Sequence, residues 1–214
     1  MHSYRRRHLD ECLFSIPWKG SVLDVGGRKG LYRGEFRPPF EQVASWEYVN
    51  TNPTANPDYL ASADELPIAD NSYDMLLMSE LLEHVRYPEK ALAEAYRVLR
   101  PGGRLFNLAP FLFPLHADPD DYQRWLPGKY KAVLAELGFT EVEVQPMGGL
   151  FSVLFDFALI ATSYGAKDRE SKWNQRWRKY LIPWLDRQCG KWDKKYPWFA
   201  ERFTTGYMVS ATKP

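Results

Sequence analysis

Two histidines stand where an imidazole would be useful as a base. His84 follows the apolar run Ser72 to Ser79 (SYDMLLMS), and His116 closes the stretch Pro110-Phe111-Leu112-Phe113-Pro114-Leu115-His116. Imidazole titrates near neutral pH, which suits it to take a proton from a hydroxyl. His116 is followed by Ala117-Asp118-Pro119-Asp120-Asp121-Tyr122-Gln123-Arg124-Trp125. A carboxylate beside a histidine orients its ring and raises its pKa, and Asp121 or Asp118 is expected to do this for His116. The plainer reading of that stretch is a polar loop tied to the next helix by Tyr122 and Arg124. For His84 the plainer reading, a cap on the following helix within Glu83-His84-Val85, comes first. His116, Asp118, Asp120 and Asp121 are too few and too clustered for a defined transition-metal spacing, so no metal is expected.

The second candidate is Val22 to Arg33, VLDVGGRKGLYR. An apolar strand runs into a turn holding Gly26, Gly27 and Gly30, and glycine lets the backbone bend sharply and lie against a ligand. Asp24, just before the turn, is placed to brace the loop or attract a cation. In an open α/β sheet such a turn, at the carboxyl end of a first strand, is the general place for a nucleotide-like cofactor.

These residues need a sheet to hold them, and the chain offers one. Gln42 to Asn50, Tyr59 to Ala61, Ser72 to Ser79 and Arg104 to Ala109 read as further strands. The continuous apolar character of Ser72 to Ser79 predicts a strand buried on both faces of a parallel sheet. Pro88 to Leu99 predicts an amphipathic helix with Leu92, Ala95, Tyr96 and Leu99 on one side, and Leu126 to Leu137 another. Residues 2–16 predict a helix with Leu9, Leu13, Phe14 and Ile16 on one side. Alternation of strand and helix argues a doubly wound parallel sheet. At 214 residues and net charge +1, the chain suits one domain and has no global field for nucleic acid or an acidic partner. Two cysteines, Cys12 and Cys189, and no clean apolar run after Arg5-Arg6-Arg7 predict a cytoplasmic protein.

The ordered set LDVGGRKG, ADELPIADNSYDMLLMSELLEHV and EAYRVLRPGGRLFNLAPF resembles the class I S-adenosylmethionine-dependent methyltransferases, in their small-molecule branch, over about residues 20–147. The stretch from His116 also resembles the PxH…DYxR segment of relatives thought to act on glycans and other small molecules. The resemblance implies an α/β, doubly wound (Rossmann-like), seven-stranded, mostly parallel sheet. Its antiparallel last hairpin would be Thr140 to Met147 with Thr205 to Lys213. It implies S-adenosylmethionine as cofactor, with Asp24, Gly26, Gly27 and Gly30 in the cofactor turn. Asn50 stands where an acid usually holds the ribose. Ser62 stands where an Asp often meets the adenine, with Asp64 and Glu65 close enough in sequence to substitute. Ser79 and Glu80 face the methionine part and the substrate. Arg28 replaces the family's middle glycine, and its side chain is expected to point away from the cofactor.

Residues 148–202 form an excursion between the last two strands. It carries five of the eight Trp, and residues 167–195 hold ten Lys or Arg against four Asp or Glu. A helical lid over the substrate pocket is one reading. A peripheral membrane contact through residues 150–198, serving a lipid-linked substrate, is the second. Asp156 argues against a spanning helix. Nucleic-acid binding ranks last, because no recognised module accompanies the charge. The sequence thus points to methylation of an oxygen on a small-molecule or glycan acceptor, with His116, Asp121 and His84 as the catalytic group. The alternative is a non-catalytic relative that binds a partner through the same fold.

Overall fold

The computed structural model describes residues 3–32, 34–116, 120–164 and 176–214, with the side chains of 163, 164 and 178 left aside. Asp118 and Trp173 lie outside the described residues. The strands are β1 (Ser21–Val25), β2 (Ser45–Asn50), β3 (Tyr59–Leu60), β4 (Tyr73–Ser79), β5 (Leu99–Pro110), β6 (Thr140–Met147) and β7 (Gly206–Thr212). They form one sheet in the order β3-β2-β1-β4-β5-β7-β6. The pairs from β3 through β5 are parallel, and β7 runs antiparallel between β5 and β6. The expected seven-stranded α/β fold with an antiparallel final hairpin is the one observed.

Alternation along the strands builds two cores. Leu23, Leu76, Met78 and Leu105 turn to the face covered by α2 (Pro88–Val98) and α3 (Pro127–Glu136). Val22, Met75, Leu77, Phe106 and Leu108 turn to the other face, where Leu9, Leu13 and Ile16 pack with Trp18 and Trp46. Leu9 and Leu13 come from α1 (Tyr4–Ser15). Phe14, expected on the same apolar side, is 61% exposed and meets Phe36 edge to face. The buried side of α1 carries charge instead, through Arg5 and Asp10. Among the described residues no helix joins β1 to β2, and loop residues such as Phe36 share the cover of that face with α1. Strand β5 begins at Leu99, earlier than expected, because α2 passes straight into it.

The excursion folds as α4 (Leu150–Tyr164), a turn at Trp177–Leu181 and α5 (Ile182–Lys195). Asp193 of α5 caps α4, accepting from the backbone N–H of Phe151 at 3.0 Å and of Ser152 at 2.8 Å. Asp156, fully buried in α4, accepts the N–H of Tyr4 at 2.7 Å and of Arg5 at 2.9 Å and so caps α1. Burial pushes the Asp156 carboxyl up to about 6. Tyr4 packs edge-on against Phe155, and its hydroxyl lies between the Asp186 carbonyl and the Gly190 N–H. The excursion is therefore clamped onto α1. Among its described residues none lines the cleft described below.

Candidate active site

A cleft of about 530 Å³ opens at the carboxyl ends of β1, β2 and β4. Its lining includes Asp24, Gly26, Gly27, Asn50, Ser62, Asp64, Ser79, Glu80 and His84, nine of the twelve residues singled out in the sequence. Gly30, Asp121 and His116 are not on that lining. Gly30, at φ 74°, shapes the far end of the turn, and a Cβ there would meet nothing within 4 Å.

The glycine turn is tightly built. Gly26 has φ 89° and donates its N–H to the Val49 carbonyl at 2.8 Å. A Cβ at Gly27 would come within 2.5 Å of the Asp24 carboxylate. Asp24 forms the floor of the cleft, and burial pushes its carboxyl up to about 7. Its folded-state pKa is raised, so its contribution to stability is fully present below about pH 4 and is lost as pH rises through about 7. Asp156 acts in the same direction with its upper bound near 6. The melting temperature of the ligand-free protein is expected to fall between about pH 4 and 7, and Asp24→Asn should flatten that slope.

Asn50, expected at the ribose position, lines the cleft and also braces the glycine turn. Its amide donates to the carbonyls of Gly26 at 3.1 Å and Gly27 at 2.9 Å, and its oxygen accepts the Asn52 N–H at 2.9 Å. An acid here would face two carbonyls, which explains the amide. Asn50→Asp should cost about 1–3 kcal/mol of stability, measured by denaturant unfolding, through those two lost donors. Ser62 donates to Asp64, so the two act as a pair at the cleft rim. Arg28 lines the cleft instead of standing clear of it.

Glu80 is also spoken for. It sits at φ 54° after β4, and its two oxygens take both the Nε–H (3.0 Å) and an Nη–H of Arg5, whose other Nη–H reaches the Thr205 carbonyl at 3.0 Å. Its carboxylate thus ties α1 to the end of β4 at the cleft lining. Arg5 is 2% exposed.

Both histidines are brought together by the loop after β5. The Gln123 side chain donates to the carbonyls of Leu82 and Val85 at 2.9 Å each, and the Tyr122 N–H reaches the Glu83 carbonyl at 2.8 Å. His84 Nδ1 donates to the Asp120 carbonyl at 2.5 Å, and the His84 and His116 rings lie 5.3 Å apart, tilted by 32°. Asp121 accepts the His116 backbone N–H at 3.1 Å, but its carboxylate is held chiefly by Arg124. The Arg124 guanidinium holds Asp121 down at about 2. His116 Nδ1 stands 3.5 Å from Asp121 Oδ2, too far for a good hydrogen bond. Burial moves the His116 pKa down, against the expected rise, and the nearby His84 adds to this. Sequence reading missed Glu83 and Arg5. Glu83 is 2% exposed, and burial raises its carboxyl. The Glu-His pair after β4 was its visible signal.

Residues 23–107 match a family model described as Methyltransferase domain. The ubiquinone/menaquinone biosynthesis C-methyltransferase UbiE of Brucella canis is 36% identical over 89 residues, 42% of this chain and 27% of that one. The chain thus matches about a quarter of the length of these curated relatives. A chain from the complex between the Haloferax volcanii Trm112 methyltransferase activator and its methyltransferase superposes with TM-score 0.62 at 18% identity, covering 98% of this chain and 91% of that one. Haemonchus contortus phosphoethanolamine N-methyltransferase 2, solved with S-adenosylhomocysteine, gives 0.58 at 18% identity, covering 97% and 52%. The sheet order is the fold of these neighbours, and the matched segment, which carries the glycine turn, likens residues 23–107 to the class I S-adenosylmethionine-dependent methyltransferases. The chain's residues fit that family's cofactor, S-adenosylmethionine: the cleft has the volume of a small-ligand site, and its lining carries the Asp24 and Asp64 carboxyls with the Ser62 and Ser79 hydroxyls, a polar set suited to ribose and amino-acid groups.

Proposed function

We propose that this protein transfers the methyl group of S-adenosylmethionine to an oxygen of a small molecule or glycan. The observation that carries the reading is the junction of the glycine-lined cleft with His84, which stands on its lining and against His116. When bound, the cofactor supplies an electrophilic methyl group on a sulfonium. Asp24, Gly26, Gly27, Asn50, Ser62, Asp64 and Ser79 hold it. Glu80, locked to Arg5, fixes the backbone beside the methyl position, and Gly30 shapes the turn. His116 and His84 meet the acceptor's hydroxyl, and a neutral ring nitrogen takes its proton. Asp121 positions His116 through its backbone N–H. The family match ends at residue 107, before His116, so the C-methylation named for the UbiE relatives does not extend to the acceptor side.

Calorimetric titration with S-adenosylmethionine and S-adenosylhomocysteine tests the cofactor half. A site occupied at a hundredfold excess over Kd stabilises the fold by about 2.7 kcal/mol. No binding to the folded protein at millimolar ligand would favour the partner-binding alternative. The cationic cofactor beside Asp24 draws off its proton, so binding near pH 6.5 should release protons and strengthen as pH rises through about 7. Titrations in buffers of different ionisation enthalpy measure that release, and buffer-independent heats would refute the contact.

The peripheral membrane reading of the excursion gains support from Leu154, Phe157, Tyr180, Trp184 and Trp198, each at least 45% exposed. Among the described residues no helix is long and apolar enough to cross a membrane. Co-sedimentation with anionic vesicles, lost in Trp184→Ser/Trp198→Ser, is the expected outcome. Equal sedimentation of the variant would refute it.

A further inference from the structure

Three side chains converge where the turn after β4 meets the loop after β5. Glu83, His84 and His116 each offer one ligand atom, and these atoms lie within 4.8 Å of one another. Neither oxygen of the buried Glu83 has a hydrogen-bond partner among the described residues, and neither has Nδ1 of His116. Buried polar atoms are nearly always paired, and a buried carboxylate without a donor is costly unless a cation completes it.

The charges around the cluster leave that role open. Arg5 is matched by Glu80 and Arg124 by Asp121, so Glu83 is the carboxylate left over. His84 is oriented as ligating histidines are. Its Nδ1–H goes to a backbone carbonyl, which leaves the lone pair of the neutral ring on Nε2, 3.9 Å from Glu83 Oε1.

We propose that Glu83, His84 and His116 form a binding site for one divalent first-row transition-metal ion. Two imidazoles and one carboxylate suit zinc, iron(II) or manganese, whereas magnesium and calcium favour oxygen ligands. Bonds of about 2.0–2.2 Å set neighbouring ligand atoms roughly 3–3.5 Å apart, so the three side chains close in by about 1 Å on binding. Three protein ligands leave coordination positions open, and His84 puts the ion at the edge of the cofactor cleft. The inference rests on the oxygen-methylation reading: the acceptor's hydroxyl takes an open position, and the ion eases loss of its proton to water. In that form the two imidazoles serve as ligands and no longer as the proton acceptor. The sequence expectation of no metal considered only the carboxylates after His116, not Glu83 across the fold.

The test is titration of the chelator-treated 214-residue chain with zinc and with manganese, with metal content measured after dialysis. One equivalent per chain is expected, with affinity at least tenfold weaker in Glu83→Gln and His116→Ala and unchanged in the control His8→Ala. Glu83→Gln replaces a buried unpartnered charge by a neutral isostere, so it keeps the test decisive if His116→Ala does not fold. No stoichiometric ion, or equal affinity in Glu83→Gln, would overturn the site. S-adenosylhomocysteine titrated into the same samples separates the two readings. If S-adenosylhomocysteine binds but neither metal does, the metal site is overturned and the methyltransferase reading stands; if a metal binds but S-adenosylhomocysteine does not, the reverse holds.

Discussion

Arg5→Ala is expected to lower stability by about 3–5 kcal/mol, the usual cost of removing one partner of a buried ion pair. For a chain of this size that is a fall of roughly 6–20 °C in melting temperature. The reason lies in what Arg5 leaves behind. Glu80 would keep a carboxylate that is 13% exposed with no cation beside it, and the Thr205 carbonyl would lose a buried donor. Both lie where α1 meets the ends of β4 and β7, so the damage would reach the cleft wall. Arg5→Lys should lose part of the same energy, because an ammonium cannot supply the paired donors that grip both oxygens of Glu80. Replacing Arg5 and Glu80 together by methionine should recover much of the loss, since no unpaired charge remains. Thermal unfolding of the two single variants and the double variant gives the coupling directly. A full additive loss in the double variant would mean that packing, not charge pairing, is what Arg5 supplies.

That arginine also marks how far the sequence could be read. Strands β1, β4 and β5 were legible because fully buried parallel strands leave continuous apolar runs bounded by turn residues. The cleft's lining was legible because a glycine turn, an acid before it and the ends of successive strands recur in order along the chain. Nothing local distinguishes Arg5 from Arg6 or Arg7. Its burial depends on Glu80, 75 residues away, and on Thr205, 200 residues away. Asp156 read as an interruption of an apolar run, yet it caps α1 across the fold. Asn50 read as a weakened ribose contact because strand ends are where that contact belongs, while its hydrogen bonds go to the turn of β1. Charge in Asp121 was visible and still pulls the His116 pKa upward, but burial of the ring outweighs it. For Arg5, Asn50 and Asp156 the local pattern revealed the element, and pairing distant in sequence decided what the side chain does.

His116→Ala is expected to reduce methyl transfer by roughly 10²–10⁴-fold, the range for losing a positioned proton-transfer group. Affinity for S-adenosylmethionine should stay within about twofold, because His116 is not on the cleft lining. The separation matters because the same fold could serve as a partner-binding scaffold. A scaffold with a surviving cofactor site would bind the ligand and show no turnover to lose. Asp121→Asn adds a second, independent reading. It should release Arg124 and loosen the His116 backbone contact, lowering kcat while leaving the His84 contact to Asp120 in place. Initial-rate measurements with a methyl-labelled cofactor, alongside calorimetry on the same preparations, provide both numbers. Unchanged turnover in His116→Ala would remove this residue from the chemistry and with it the oxygen-acceptor assignment. A loss of turnover matched by an equal loss of cofactor affinity would place His116 in the cofactor site and move the acceptor elsewhere on the cleft.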